Sequence, residues 1–339
     1  MESPSLVASP HARGVLRERK NMKIRMKYFV LGLCVLAVAI VAITASNAQI
    51  ATSSGPGQKA VVGVQMRESK ERGPIRTPDM SPLGKEVASE LIAGPNSGLD
   101  SAFIVYARVP AGAHGPAMYS RSVDEVFFVA SGQLNVQIGT DKLVAPTHAG
   151  IFFPAGLPHT YSNDGADTTV VVEIVQTGAS SADTLASLMK PAQPKKIDNT
   201  AQYIRPAKEL PPSQLKGGNN SQFEANRADG SSYIGMHYDQ ILPKSGGAAM
   251  HIHPFNQVYY IVDGSVHLDY GMKSMEVKPN QFVVIPEGVV HQFLNDGDGV
   301  AKDILTLLPQ PPPNSIADVP VDVHFGQTAP FIGATPKAK

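Results

Sequence analysis

The sequence predicts an all-β protein made of two tandem copies of one domain, and three observations carry that prediction. Glycine and proline are abundant, at 30 and 28 of 339 residues, and tryptophan is absent. This composition suits short strands joined by tight turns better than a helical bundle. Runs of β-branched and aromatic residues end repeatedly at a glycine, as in EVFFVASG (125–132) and QVYYIVDG (257–264). The third observation is internal: the chain matches itself at one constant displacement, which lays Ala117 over Ala249.

The match is ungapped. AMYSRSVDEVFFVASGQLNVQIG (117–139) lies over AMHIHPFNQVYYIVDGSVHLDYG (249–271), pairing Met118, Val126, Gly132 and Gly139 with Met250, Val258, Gly264 and Gly271. The same offset carries FPAGLPHTYSNDG (153–165) onto IPEGVVHQFLNDG (285–297), with Pro154, Gly156, His159, Asn163, Asp164 and Gly165 all recurring. In each copy an apolar run ends at a glycine, and an alternating strand (GQLNVQIG, GSVHLDYG) follows as the return arm of a hairpin. A Pro-x-Gly turn then leads into a further strand.

Along the chain, a basic stretch precedes an uncharged apolar segment from Tyr28 to Ile43, with Ser46 and Ala48 placed for signal-peptide cleavage after Ala48. The alternative is an uncleaved membrane anchor over 28–43, a segment short of the roughly 20 residues that span a bilayer. The only cysteine, Cys34, lies inside this segment, so the expected exported chain has no disulfide and offers no thiol to a metal. The organisation expected is a signal peptide over 1–48, a flexible start and N-terminal strands over 49–95, and a first domain over 96–180. A linker follows over 181–220, with one short helix in SADTLASLMK (181–190); then come a second domain over 221–315 and a tail over 316–339. Lys+Arg and Asp+Glu balance at 29 each, so nothing in the overall charge invites nucleic acid as a partner.

The second copy carries the chemistry. His251, His253 and Gln257 share the parity of one strand face, and His291 arrives after the Pro286-x-Gly288 turn. Polar groups sharing an inward face are costly unless something satisfies them together, and a divalent cation does that. The competing readings are surface histidines or a buried hydrogen-bonded cluster.

The spacing of Gly247, His251, His253, Gln257 and Gly264, followed by Pro286, Gly288, His291 and Asn295, resembles the two motifs of the cupin superfamily, in a two-domain form. Asn280 stands where the second motif usually opens with glycine. The resemblance implies two tandem jelly-roll β-barrels, with a metal site of His251, His253, Gln257 and His291 in the second. Imidazole and amide oxygen suit Mn, Fe, Ni, Co or Zn without choosing among them. The neutral glutamine leaves the ion at +2, where a glutamate would leave it at +1, so the metal pulls harder on an anionic ligand. A three-His, one-Gln set is similar to that of cupin-type hydroxynitrile lyases, whereas cupin dioxygenases and decarboxylases mostly keep glutamate. Tyr259 shares the parity of Gln257 and is the candidate catalytic hydrogen-bond donor, its alternative being core packing. The facing of His237 is left open, and His148 and His267 are expected to be exposed or structural.

In the first copy the equivalent positions are Tyr119, Arg121, Glu125 and His159. An arginine repels a cation. Either Arg121 and Tyr119 hold an anionic ligand in a metal-free pocket, or Arg121 neutralises Glu125 and the copy serves packing. The function expected is a metal-dependent enzyme, dioxygenase-like or lyase-like, with one active site and a small anionic substrate. The alternative is a non-catalytic ligand-binding or structural protein. Homo-oligomerisation is compatible with either.

Overall fold

Two kinds of strand in the sequence build two kinds of sheet. In the computed structural model, residues 66–321 are described apart from 70, 72, 216–218 and 316, and they fall in one compact unit. The expected signal segment, its cleavage site, the anchor alternative and Cys34 lie outside the described residues. No helix among the described residues is long and apolar enough to cross a membrane.

Each copy is a pair of facing sheets. The large sheet of the first barrel runs β1 (Met66–Glu68), β3 (Ala88–Ala93), β4 (Ala102–Val109), β11 (Thr169–Gln176), β6 (Glu125–Ser131), β9 (Ala149–Phe153) and β13 (Ile204–Pro206). Its small sheet runs β12 (Met189–Pro191), β5 (Tyr119–Arg121), β10 (His159–Ser162), β7 (Leu134–Ile138) and β8 (Asp141–Ala145). The second barrel repeats this plan. Its large sheet is β14 (Asn219–Ala225), β15 (Gly235–Ile241), β23 (Ala301–Leu308), β18 (Asn256–Asp263), β21 (Phe282–Ile285) and β2 (Ile75–Arg76). Its small sheet is β20 (Lys273–Val277), β19 (Val266–Tyr270), β22 (His291–Asn295), β17 (His251–Ile252) and β24 (Val319–Pro320), with β16 (Ser245–Gly246) also on β22. The expected all-β, tandem jelly-roll architecture is what the structure has.

The layering explains the sequence patterns. On β6, Phe127 and Val129 face the first barrel's interior, while Val126, Phe128 and Ala130 face the other barrel. They meet Val258 and Tyr260 of β18, Phe282 of β21 and Met236 and Tyr238 of β15 in one shared core. A strand buried on both faces needs no polar alternation, so EVFFVAS and NQVYYIV read as continuous apolar runs. The outer β7 has one face in water and alternates buried and half-buried residues.

The duplication reaches the backbone. His148 and Asn280, which the repeat lays over each other, both adopt left-handed conformations, at φ 62° and 64°. Asn280 thus fills the place of the motif's glycine because asparagine tolerates this region. Asn163 and Asn295 make the same three bonds. Each Nδ2 donates to the carbonyl ending a large-sheet strand (Val109 or Ile241) and to one four residues on (Asp167 or Gly299), and each Oδ1 accepts from Gly165 or Gly297.

The barrels use more chain than the repeat itself. β3 precedes residue 96, β12 and β13 come from the linker, and β24 comes from the tail, yet each pairs with a barrel strand. β2, from the N-terminal region, pairs with β21 of the second barrel. Arg76 at that point donates to the carbonyls of Ile92 and Ser97 beside the first barrel. These short strands cover sheet edges that would otherwise present unpaired backbone groups. The expected linker helix is α1 (Leu185–Leu188), capped reciprocally by Thr184 and Ser187.

Candidate metal centre

The stretch HIHPFNQ is not one strand. β17 ends at Ile252, the chain bends through Pro254 and Phe255, and β18 begins at Asn256. The first barrel bends at the same place, between Arg121 and Glu125, with Ser122 where Pro254 stands, and proline suits such a break because it cannot donate to a ladder. His251 therefore comes from the small sheet, His253 from the bend that follows it, and Gln257 from the large sheet. They converge from two walls rather than through the parity of a single strand. His291 opens β22 directly opposite His251. All four side chains are buried, between 0% and 7% exposed.

The three imidazoles have their tautomers fixed. His251 Nδ1 donates to the Ala249 carbonyl at 2.6 Å, His253 Nδ1 to Ala317 at 2.7 Å, and His291 Nδ1 to Val289 at 2.9 Å. With each Nδ1 holding the proton, each Nε2 presents a lone pair inward. Burial pushes His291 down to about 4, and the neighbouring His251 and His253 push the same way against the Val289 carbonyl. Burial also lowers His253, opposed by the Ala317 carbonyl and Asp318. Yet Nε2 of His251 and Nε2 of His253 lie 2.9 Å apart. Two lone pairs at that distance repel unless a cation lies between them. The spacing suits neighbouring ligands of one ion held at about 2.1 Å.

The three histidines form a group able to hold a metal ion. The Nε2 of His291 is buried without a hydrogen-bond partner, and so is one further atom suited to the same role, the Oε1 of Gln257. Such orphans are uncommon in native structures and call for a partner. The donor set thus fits a divalent transition metal. Tyr259 faces the same interior, stacked on Phe293 with ring centroids 4.2 Å apart. Its neighbour Tyr260 points into the shared core and donates to Asn280 at 2.8 Å.

The first barrel has a different solution at the equivalent positions. Arg121 Nε lies 2.6 Å from Glu125 Oε1, Nη2 lies 2.6 Å from Glu173 Oε1, and Nη1 donates to the Leu185 carbonyl at 2.9 Å. Glu125 also meets His159 Nε2 at 3.0 Å. All three guanidinium nitrogens are engaged within the protein, so Arg121 is paired with Glu125 as the packing alternative expects. Burial pushes Glu125 up, but Arg121 and His159 outweigh it and hold the carboxyl down to about 2. Glu173 escaped the sequence reading. Its signal was a lone inward-parity glutamate in the apolar run TVVVEIVQ.

His148, His237 and His267 lie outside the three-histidine cluster. His148 stacks between Phe128 and Tyr238 at the joint of the barrels and pairs with Glu209 at 2.7 Å. His267 bonds Asp269 at 3.0 Å. His237 is half-buried on β15, on the face that carries Asp239.

Comparison with known proteins agrees with the fold. The protein named polyketide synthase CurC, of Streptomyces cyaneus, is 25% identical over 145 residues, which is 42% of this chain and 88% of that one. Among solved structures, AerE from Microcystis aeruginosa superposes with a TM-score of 0.50 at 12% identity, covering 70% of this chain and 98% of its own. A deletion mutant of Bacillus subtilis oxalate decarboxylase gives a TM-score of 0.47 at 13% identity, covering 62% of this chain and 69% of its own. At these identities the structural likeness is one of fold. The cupin-domain family model matches twice, over residues 105–175 and 238–306, once in each barrel. With the duplicated jelly roll and both motifs in register, the chain belongs to the cupin superfamily as a two-domain member.

Proposed function

We propose that the second barrel holds one divalent transition metal on His251, His253, His291 and Gln257, and that the protein is a metal-dependent enzyme acting on a small, oxygen-bearing organic anion. The observation that carries this reading is the common orientation of the three imidazoles, every Nδ1 donated to a backbone carbonyl and two Nε2 atoms 2.9 Å apart. When bound, the ion supplies a Lewis acid whose charge the neutral Gln257 leaves undiminished. The protein's own groups do the rest. Phe255 stacks on His253 at 4.6 Å and fixes its ring plane, and Tyr259 offers a phenolic hydroxyl to a substrate oxygen. The first barrel, with Arg121 neutralised, serves as the packing partner.

Elemental analysis of the full chain beside H251A/H253A tests the reading. About one equivalent of metal is expected, lost in the double variant. Absence of metal from both, after growth with Mn, Fe, Co, Ni and Zn supplied, would overturn it and favour a non-catalytic ligand-binding barrel. Dioxygen uptake during turnover separates dioxygenase-like from lyase-like chemistry. Export belongs to the same reading, and the exported chain is expected to begin at Gln49 by N-terminal sequencing.

A further inference from the structure

Deeper in the second barrel lies a second polar group that the motifs do not include. Asp239 on β15 and Asp303 on β23 are direct cross-strand partners. Both are buried, at 3% and 0% exposed. Both oxygens of Asp303 and Oδ1 of Asp239 have no hydrogen-bond partner, and neither carboxyl forms an ion pair among the described residues. Directly opposed side chains on neighbouring strands lie about 5 Å apart at Cβ. Two carboxylates at that spacing in an apolar interior cannot both ionise, so the pair retains a proton.

The pair is specific to the barrel with the histidines. Under the displacement that relates the two copies, Asp239, Asp303 and Tyr259 become Ala107, Val171 and Phe127, three members of the first barrel's apolar core. Ala107 and Val171 are themselves cross-strand partners, so the comparison holds register for register. The histidine pair, the carboxyl pair and the tyrosine are present together in one copy and missing together from the other. A packing role alone does not account for this, because the first barrel packs the same positions with apolar groups.

Register fixes the path between the two groups. Asp303 is level with Ile261 on β18, while Tyr259 and Gln257 lie one and two side-chain repeats away towards the histidines. Four residues of strand span about 13 Å, too far for direct contact, and Tyr259 occupies the middle. Tyr259, stacked on Phe293 in the same interior, stands between the carboxyl pair and Gln257 along this face. The other titratable group on this face is His237 of β15, while Ser221 of β14 is the cross-strand neighbour of Asp239.

We infer that Asp239 and Asp303 are a proton-sharing carboxyl pair that serves as the proton acceptor of the second barrel, reached through the Tyr259 hydroxyl. This rests on the metal-enzyme reading above and narrows its substrate class to weak acids that lose a proton when they bind or react. The balance is simple. The substrate's O–H or C–H proton goes to Tyr259, Tyr259 passes its own to the pair, and the phenol ends unchanged. The pair goes from one proton to two and from one negative charge to none, a change the apolar surroundings favour. Burial pushes Asp239 up to about 6, against a bond from Ser221, and burial with the charge of Asp239 raises Asp303 well above its ordinary value, the direction a shared proton requires.

Two measurements on the full metal-loaded chain test this, using D239N/D303N as an isosteric variant. Infrared difference spectra at pH 7 should contain a carboxylic-acid band that the variant lacks, and superimposable spectra would overturn the shared proton. Calorimetry with acetohydroxamic acid, in two buffers of different ionisation enthalpy, counts protons released on binding. Wild type should release about one proton fewer than the variant. Equal release from two proteins that each hold one metal would overturn the acceptor role. A second metal equivalent in wild type, lost in the variant, would make the pair a cation site and overturn it equally. Absence of metal from wild type would sink the metal-enzyme reading instead, with the infrared result still deciding whether the proton is shared.

Discussion

Arg121 Nε sits 2.6 Å from Glu125 Oε1, so the first barrel carries its own cation at the positions where the second gathers imidazoles. Glu125 corresponds to Gln257 and His159 to His291, and His159 Nδ1 donates to the Leu157 carbonyl as His291 does to Val289. Tyr119 and Arg121 stand where the second barrel has His251 and His253, and Glu125 and Glu173 where it has Gln257 and Leu305. The replacement is reversible in principle. Y119H/R121H/E173L, which copies the second barrel at these positions, is expected to raise metal content from about one to about two equivalents by elemental analysis. R121A alone leaves the buried Glu173 unpaired and Glu125 with only His159, and should cost about 3–5 kcal/mol of stability in chemical denaturation.

The tail takes part in the centre. β24 pairs with β17, and just before it the Ala317 carbonyl accepts from His253 Nδ1 while Asp318 lies 3.5 Å from the same atom. Removing the partner that orients a ligand typically costs 10–100-fold in metal affinity. Deleting residues 311–339 should weaken metal binding by about that factor in competition with a chelator, leaving the far-ultraviolet β signature intact.

Gln257 sets the charge of the centre. In Q257E the metal should be retained, because a carboxylate is at least as good a donor, but small anions should bind less well. A unit charge about 4 Å away is worth ~4 kcal/mol at an effective dielectric of 20, so a loss of at least tenfold in azide affinity is expected by titration of the metal-loaded protein. Unchanged azide affinity in Q257E would argue that the Gln257 oxygen lies outside the ligand set.

How far the sequence could be read depends on what each residue's neighbours are. The repeat exposed the two domains, and the contrast between EVFFVAS and LNVQI reflected strands buried on two faces or one. The four candidate donors were legible because their motifs are local. What the sequence hid is non-local. The bend at Pro254 keeps His253 off the strand that carries Gln257, and β2 crosses to the other barrel. Asp239 and Asp303 are far apart along the chain and meet only through the register of β15 on β23. No periodicity marks such a pair, although a lone aspartate at inward parity in GMHYDQI and AKDILTL is a usable sign.

The joint between the barrels carries a pH-sensitive element of its own. Glu224 on β14 is buried against β9 of the first barrel, where Gly150 N–H donates to its Oε2 at 3.2 Å. A Cβ on Gly150 would lie 2.5 Å from the Glu224 Cβ, so the glycine is what admits the glutamate there. Burial pushes this carboxyl up to about 8, against the Gly150 bond and the charge of Arg205. The folded state therefore binds a proton that the unfolded chain has already lost. The stability this contributes is fully present below pH about 4.5 and is lost as pH rises to about 8. The slope is at most ~1.4 kcal/mol per pH unit for one group. Wild-type Tm should fall across this window, and E224Q, which keeps the shape and cannot ionise, should flatten the decline. Parallel Tm profiles for the two proteins would show that Glu224 is not the group responsible.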